Sequence, residues 1–304
     1  MMPAKGYVFA ITSLIFMSLA GPLHKLGSAN SHPLLVTFCS CSAAFLIALI
    51  GAIYLRKQIF RELNRTMTIL SFLYALAMVC FSYAVTLENP FVVSAVARSY
   101  IGFSFILSIY FLKEGASKNR WPAVFVIVLG SLAVSLSGSN NSLHITIGTL
   151  LALVYALLFA IHNYYLKQNS NISVLGLLFW QNLFAALFTL AVNPGVVHLK
   201  GFHANTIIFS ALSGILSSVV GFVLYHRSIR LLSFGEVTSI RAFSPIIGGL
   251  IVAPFFPPTI TPALIVGFIL ILSGHYFYFK SEVENASAPN RRILSLFKRK
   301  KNTV

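Results

Sequence analysis

No aspartate occurs in the 304 residues, and glutamate occurs six times, at Glu62, Glu88, Glu114, Glu236, Glu282 and Glu284. All six are expected in loops, tails or span ends. Charged residues of both signs make up 9% of the chain, against about 25% in a soluble domain. The deficit excludes an ordinary soluble fold. Without a carboxylate at membrane depth, proton coupling through Asp or Glu has no residue to run on. The three cysteines, Cys39, Cys41 and Cys80, lie in apolar stretches, with no His or Cys at ligand spacing. They read as reduced packing residues, and neither metal nor cofactor is expected. Gly-x-Ser-x-Gly, His-Glu-x-x-His and paired Asp are all absent, so an intramembrane enzyme is not expected. The first apolar segment begins at Tyr7 and has no small-residue cleavage site at its end, so no cleavable signal peptide is expected.

Long hydrophobic runs are present instead, and 57% of the residues are hydrophobic. The stretch Phe91–Leu112 carries one charge, Arg98, and Gly235–Phe256 carries Arg241 as its only cation. An arginine in such a helix costs about 3 kcal/mol on insertion scales, so it should face protein or water rather than lipid. Ten spans are expected at 6–24, 33–55, 68–87, 91–112, 121–138, 145–166, 173–192, 204–226, 235–256 and 260–279. With the N-terminus inside, eighteen of the 22 Lys and Arg fall on the cytoplasmic side, and only Lys25 and Lys200 on the other. That asymmetry places both termini in the cytoplasm. It also explains the +16 formal charge without nucleic acid. The tail from 281 to 304 reads as a basic segment on anionic lipid, with cations and apolar residues interleaved from Arg291 to Lys301.

An internal repeat is visible. Lys25 and Lys167, Gly6 and Gly148, and Tyr83 and Tyr225 are each 142 residues apart, and Arg98 and Arg241 are 143 apart. Each half holds an odd number of spans, so the halves must enter the membrane upside down relative to each other. That is an inverted repeat with a site between its halves. The expected fold is an all-α membrane protein of ten transmembrane helices, built as two inverted five-helix repeats. Its units are 1–138, 145–280 and the tail 281–304.

Residues 6–280 resemble the drug/metabolite transporter superfamily, specifically its EamA-like ten-helix members. In the first half Tyr83, Ala84, Glu114, Arg120 and Gly130 fall on the family pattern. In the second, Pro245 stands at the mid-helix proline, and Gly267 and Gly274 at the last helix's glycines. Two departures stand out. Pro257 replaces a common Glu, and Arg98 and Arg241 occupy helices that are mostly uncharged in the family. The resemblance implies a route lined by spans one, three, four, six, eight and nine.

The intramembrane charges point to a small anion or zwitterion bearing a carboxylate or phosphate, clamped alternately by Arg98 and Arg241. Each arginine bonding helix-end carbonyls is the structural alternative. Tyr100, Tyr155 and Trp180 are candidates to stack a substrate ring, with core packing as the alternative. Asn163 is a candidate cavity residue beside His162, as are Gln181 and Asn182, with interhelical hydrogen bonding as the alternative. Gly21 and Pro22 should break span one near its outer end and put His24 and Lys25 at the cavity mouth. Ser213, Gly214, Ser217, Ser218 and Gly221 form a small-residue packing face on span eight. Pro245 with Gly248 and Gly249 makes span nine a candidate hinge. The expected function is alternating-access transport of a small metabolite. The alternatives are export of amphipathic or aromatic compounds through an aromatic pocket, or a non-transporting membrane helper. The expected partners are a small-molecule substrate, membrane lipid and a homodimer mate. The expected location is a bacterial inner membrane.

Overall fold

The computed structural model describes residues 2–100, 102–104, 106–107, 120–137, 146–169, 172–197, 203–232, 237, 240–241, 243–255, 261–278 and 280. The basic tail, Glu114, Pro257 and Lys200 lie outside them. The described residues are mostly helical, with no strand among them.

In chain order the helices are α1 (Met2–Ser18), α2 (Ala20–Ser28), α3 (Pro33–Tyr54), α4 (Arg65–Leu87) and α5 (Pro90–Ala97). Then come α6 (Arg120–Ser137), α7 (Ile147–Gln168), α8 (Val174–Val192) and α9 (Ala204–Ser213). A π-helical segment, Gly214–Gly221, joins α9 to α10 (Phe222–Leu231). The last two are α11 (Ser244–Val252) and α12 (Pro262–Tyr278). Six helices are long and apolar enough to cross a membrane among the described residues. The expected ten are not all counted there: parts of spans four, five, nine and ten lie outside them.

Helix starts follow capping chemistry. Side chains of Asn64, Thr146 and Ser173 accept from the backbone N–H three residues on, at 2.8, 3.1 and 3.3 Å. His32 caps α3 and Pro33 occupies its first turn, where its missing N–H costs nothing. The outer faces are apolar and exposed, with Ile50, Ile53, Phe125, Leu250 and Ile269 turned outward. The interior holds Ser, Asn, Gln, His and Arg. This inside-out distribution suits a hydrocarbon surround.

Packing recurs in pairs. α4 lies against α7, and α10 and the π segment lie against α1; α4 also meets α8, while α9 meets α3. α3 meets α8, and α5 meets α11. Exchanging residues about 142 positions apart maps each of these contacts onto another or onto itself. α6 and α12 run antiparallel at very close range. A Cβ on Gly130 would stand 2.7 Å from the carbonyl oxygen of Gly267, and one on Gly274 would stand 2.9 Å from that of Ala123. Small residues allow this approach, which gives dispersion contacts where lipid removes the hydrophobic drive between helices.

Candidate functional site

Span one does not break at Gly21–Pro22. Its irregularity comes a turn earlier, at Leu19, and the helix then runs on to Ser28. Proline lacks the N–H that would bond the carbonyl four residues back, and its ring crowds that carbonyl. For Pro22 that carbonyl belongs to Ser18. The consequence is local: the Leu19 N–H turns to Phe16 at 3.3 Å.

The same rule operates at Pro245, whose missing N–H leaves the Arg241 carbonyl without its helical donor. A turn at Phe243 follows, with the Phe243 N–H bonding Ile240 at 3.2 Å. Span four is interrupted at its matching position. The Arg98 and Ser99 N–H groups bond back three residues, to Ala95 at 3.1 Å and Val96 at 2.9 Å. Two interrupted helices thus face each other, α5 against α11, with an arginine at each interruption.

Arg98 serves both interruptions. Its Nη1 donates to the freed Arg241 carbonyl at 3.3 Å, and its Nε donates to the Ser94 carbonyl at 3.4 Å. Arg241 is held by aromatic faces: its guanidinium carbon lies 4.5 Å from the Tyr225 ring centre, 5.5 Å from Phe159 and 5.8 Å from Tyr100. The Arg98 guanidinium lies 5.5 Å from the same Tyr100 ring. These are cation–π distances. The two cations are therefore neighbours, sharing the Tyr100 ring and the Arg98–Arg241 backbone bond. Arg98 is 8% and Arg241 3% exposed, and Arg241 Nη1 is buried with no hydrogen-bond partner.

Both arginines open on a cavity of about 90 Å³. Ser18, Gly21 and Pro22 from span one line it, with Tyr74, Met78 and Phe81 from span three and Ser94 and Ala97 from span four. Tyr155 and Phe159 come from span six, Ser217, Ser218 and Phe222 from span eight, and Ser244 and Gly248 from span nine. These are the six spans the resemblance implied. No carboxylate lines the cavity among the described residues. Ser18 and Ser244 share a hydrogen bond at 3.0 Å, tying spans one and nine across it. Tyr74 donates to Ser218 at 3.3 Å, tying three to eight.

Of the residues singled out from the sequence, Arg98, Arg241 and Tyr155 line the cavity, and Tyr100 stands behind the arginines. Asn163, Trp180 and Lys25 do not line it. Asn163 is buried beside His162 with its amide unpartnered. Trp180 Nε1 donates to the Ile59 carbonyl at 3.0 Å, and its ring packs against Phe60 and Phe179. Its half-buried ring packs against a core cluster while its one donor is satisfied. Lys25 Nζ donates to the Thr86 and Glu88 carbonyls at 2.7 and 3.0 Å, capping the end of α4. Its neighbour His24 is buried, with Nδ1 2.8 Å from Ser213 Oγ.

Sequence reasoning missed Ser18, Ser94, Ser244, Phe159 and Tyr225 as site residues. Two signals were present. Pro22 and Pro245 each stand four residues after a wall residue whose carbonyl they free. Tyr225 matches Tyr83 in the repeat, yet only the fold brings it under Arg241. The small-residue face of span eight divides by height. Gly214 presses on the backbone of Ser40 and Gly221 on Met17, while Ser217 and Ser218 face the cavity. The π geometry between them is of the kind that marks functional sites.

A search of curated proteins finds no match. Among solved structures, one described only as "Crystal structure of protein" is 13% identical with a TM-score of 0.66, covering 95% of this chain and 99% of that one. This likeness speaks to the fold alone. The model of the EamA-like transporter family matches residues 4–136 and again 146–280. A family match of that extent, repeated over both halves, means that this all-helical membrane chain belongs to the EamA-like transporter family.

Proposed function

We propose that this chain is a secondary transporter that moves a small anionic or zwitterionic metabolite by alternating access. In this reading ten spans form two inverted five-helix repeats, 1–138 and 145–280, with both termini in the cytoplasm of a bacterial cell. The repeated, self-mapping helix contacts and the one-sided distribution of loop cations support that arrangement. The observation that carries the substrate class is the pair of buried guanidiniums in a cavity wall that has no described carboxylate. A buried charge must be compensated, and guanidinium matches carboxylate or phosphate bidentately. The helices that line the cavity are interrupted at Leu19, Arg98 and Phe243, and in this reading spans one, four and nine swing there to open either side.

The test is substrate counterflow in proteoliposomes with Arg241→Gln. Losing one charged contact removes about 1.5–3 kcal/mol, which predicts at least a tenfold loss of affinity for small carboxylates or phosphates. A variant that inserts normally and transports these at the wild-type rate refutes the reading. A second reading draws on the five aromatic side chains of the wall, Tyr74, Phe81, Tyr155, Phe159 and Phe222. In it the arginines are structural and an amphipathic or aromatic compound is exported. Competitive inhibition by small carboxylates or phosphates separates the two, because an aromatic pocket ignores them.

A further inference from the structure

We propose that Arg98 and Arg241 form a single seat for one compact dianion, and that the carrier reorients only when the seat is filled, making it a strict exchanger. The substrate class is a phosphate, a phosphate monoester or a short dicarboxylate. This rests on the anion reading above and narrows it, because a zwitterion or a monoanion leaves positive charge unpaired.

The argument starts from proximity. Arg98 donates to the backbone of Arg241 at 3.3 Å, and both guanidiniums lie against the ring of Tyr100, at 5.5 and 5.8 Å. Any ligand that reaches one meets the field of the other. Arginine stays protonated in proteins, so the double charge is permanent. The groups that hold the pair are carbonyl oxygens and aromatic faces, which are dipoles and quadrupoles and carry no net charge. No described residue of the wall supplies a carboxylate. One donor, Arg241 Nη1, is buried with no partner.

Compensation must then come from the ligand. Both guanidiniums line one cavity of about 90 Å³, so a single small anion reaches both. One ion with two charges pairs with both, whereas two monoanions side by side there repel each other. A dianion leaves the filled seat neutral. Alternating access must pass through a state closed to both sides, in which water cannot solvate the seat. An empty seat then carries two uncompensated charges in a low dielectric, whereas a filled one carries none. The filled carrier crosses and the empty one does not. Each outward dianion is balanced by an inward one, and the exchange moves no net charge.

The test uses wild-type protein in liposomes clamped at zero membrane potential. The lumen holds phosphate, succinate, alanine, acetate or only a bulky impermeant buffer, and uptake of labelled phosphate and labelled succinate is measured from outside. Uptake is expected to be at least tenfold faster with phosphate or succinate inside than with buffer alone. The two labels show whether the seat favours phosphate or dicarboxylate chemistry. Uptake into buffer-loaded liposomes within twofold of the exchange rate overturns strict exchange. Labelled acetate or alanine exchanging as fast as the dianions overturns the dianion seat while leaving a small-anion carrier standing. No flux of any anion under any loading refutes the transport reading itself. Arg98→Gln should shift preference from succinate towards acetate, and Arg98→Lys should restore it. An unchanged preference in a correctly inserted Arg98→Gln protein also overturns the seat.

Discussion

The bond between Arg98 and the Arg241 carbonyl predicts an energetic coupling between two residues far apart in the chain, Arg98 and Pro245. Pro245 frees that carbonyl by lacking an N–H, and Arg98 satisfies it at 3.3 Å. Arg98→Met keeps much of the apolar stem but leaves the carbonyl buried and unpaired, at a cost of about 1–3 kcal/mol. The contact is long, so the lower half of that range, about 1–2 kcal/mol, is the expected figure. Pro245→Ala supplies the missing N–H, and the carbonyl then has a helical donor. In that background Arg98→Met should cost about 1–2 kcal/mol less. Relief of repulsion between the two guanidiniums occurs in both backgrounds and cancels from the cycle. The assay is reversible unfolding of the four proteins in mixed micelles. If the cost of Arg98→Met agrees within about 0.5 kcal/mol with and without Pro245, the sites are additive and the reasoning fails.

Gly130→Ala and Gly274→Ala should each lower stability by about 1–3 kcal/mol, since the added methyl overpacks the α6–α12 contact. The pair should cost less than the sum, because helices parted once need not part again; additive losses in thermal unfolding refute a shared contact. Gly214→Ala should be severe, since its methyl falls on the backbone of Ser40 and α3 must shift. A wild-type melting temperature in detergent refutes that close approach. Lys25→Met should destabilise by about 1–3 kcal/mol by uncapping the Thr86 and Glu88 carbonyls, yet leave the apparent transport affinity unchanged. Trp180→Phe should cost about 1 kcal/mol for the lost bond to Ile59, again with unchanged affinity. A changed affinity in either variant places that residue in the route.

Much of the fold was legible because lipid imposes a strict length and composition on anything that crosses it. Spans 33–55 and 173–192 match Pro33–Tyr54 and Val174–Val192 to within a residue or two at each end, where His32, Pro33, Ser173 and the flanking polar residues mark the ends. Span one was misread. Pro22 acts on the carbonyl of the preceding turn, so the irregularity sits at Leu19, and Lys25 stays within a helix that carries it to α4 rather than to the cavity. Arg98 and Arg241 were legible as candidates since an uncompensated cation in an apolar run demands an explanation. Trp180 and Asn163 were not separable from wall residues, because a helix face cannot be assigned to cavity or core until its neighbours are known.

Composition, run length and loop charge by themselves determined a helical membrane chain, and the 142-residue offset determined that its halves are copies. Those properties are local or one-dimensional, and the bilayer reads them segment by segment. Only the tertiary structure decided that the two arginines meet, that Tyr100 and Tyr225 lie against them, and that Lys25 caps a helix instead of facing a ligand. The contacts from Lys25 to Thr86 and from Arg98 to Arg241 join residues 61 and 143 positions apart, and Tyr225 reaches Arg241 from a different helix. Helix rotation and tilt set them, and a side chain's position along its own helix does not contain that information.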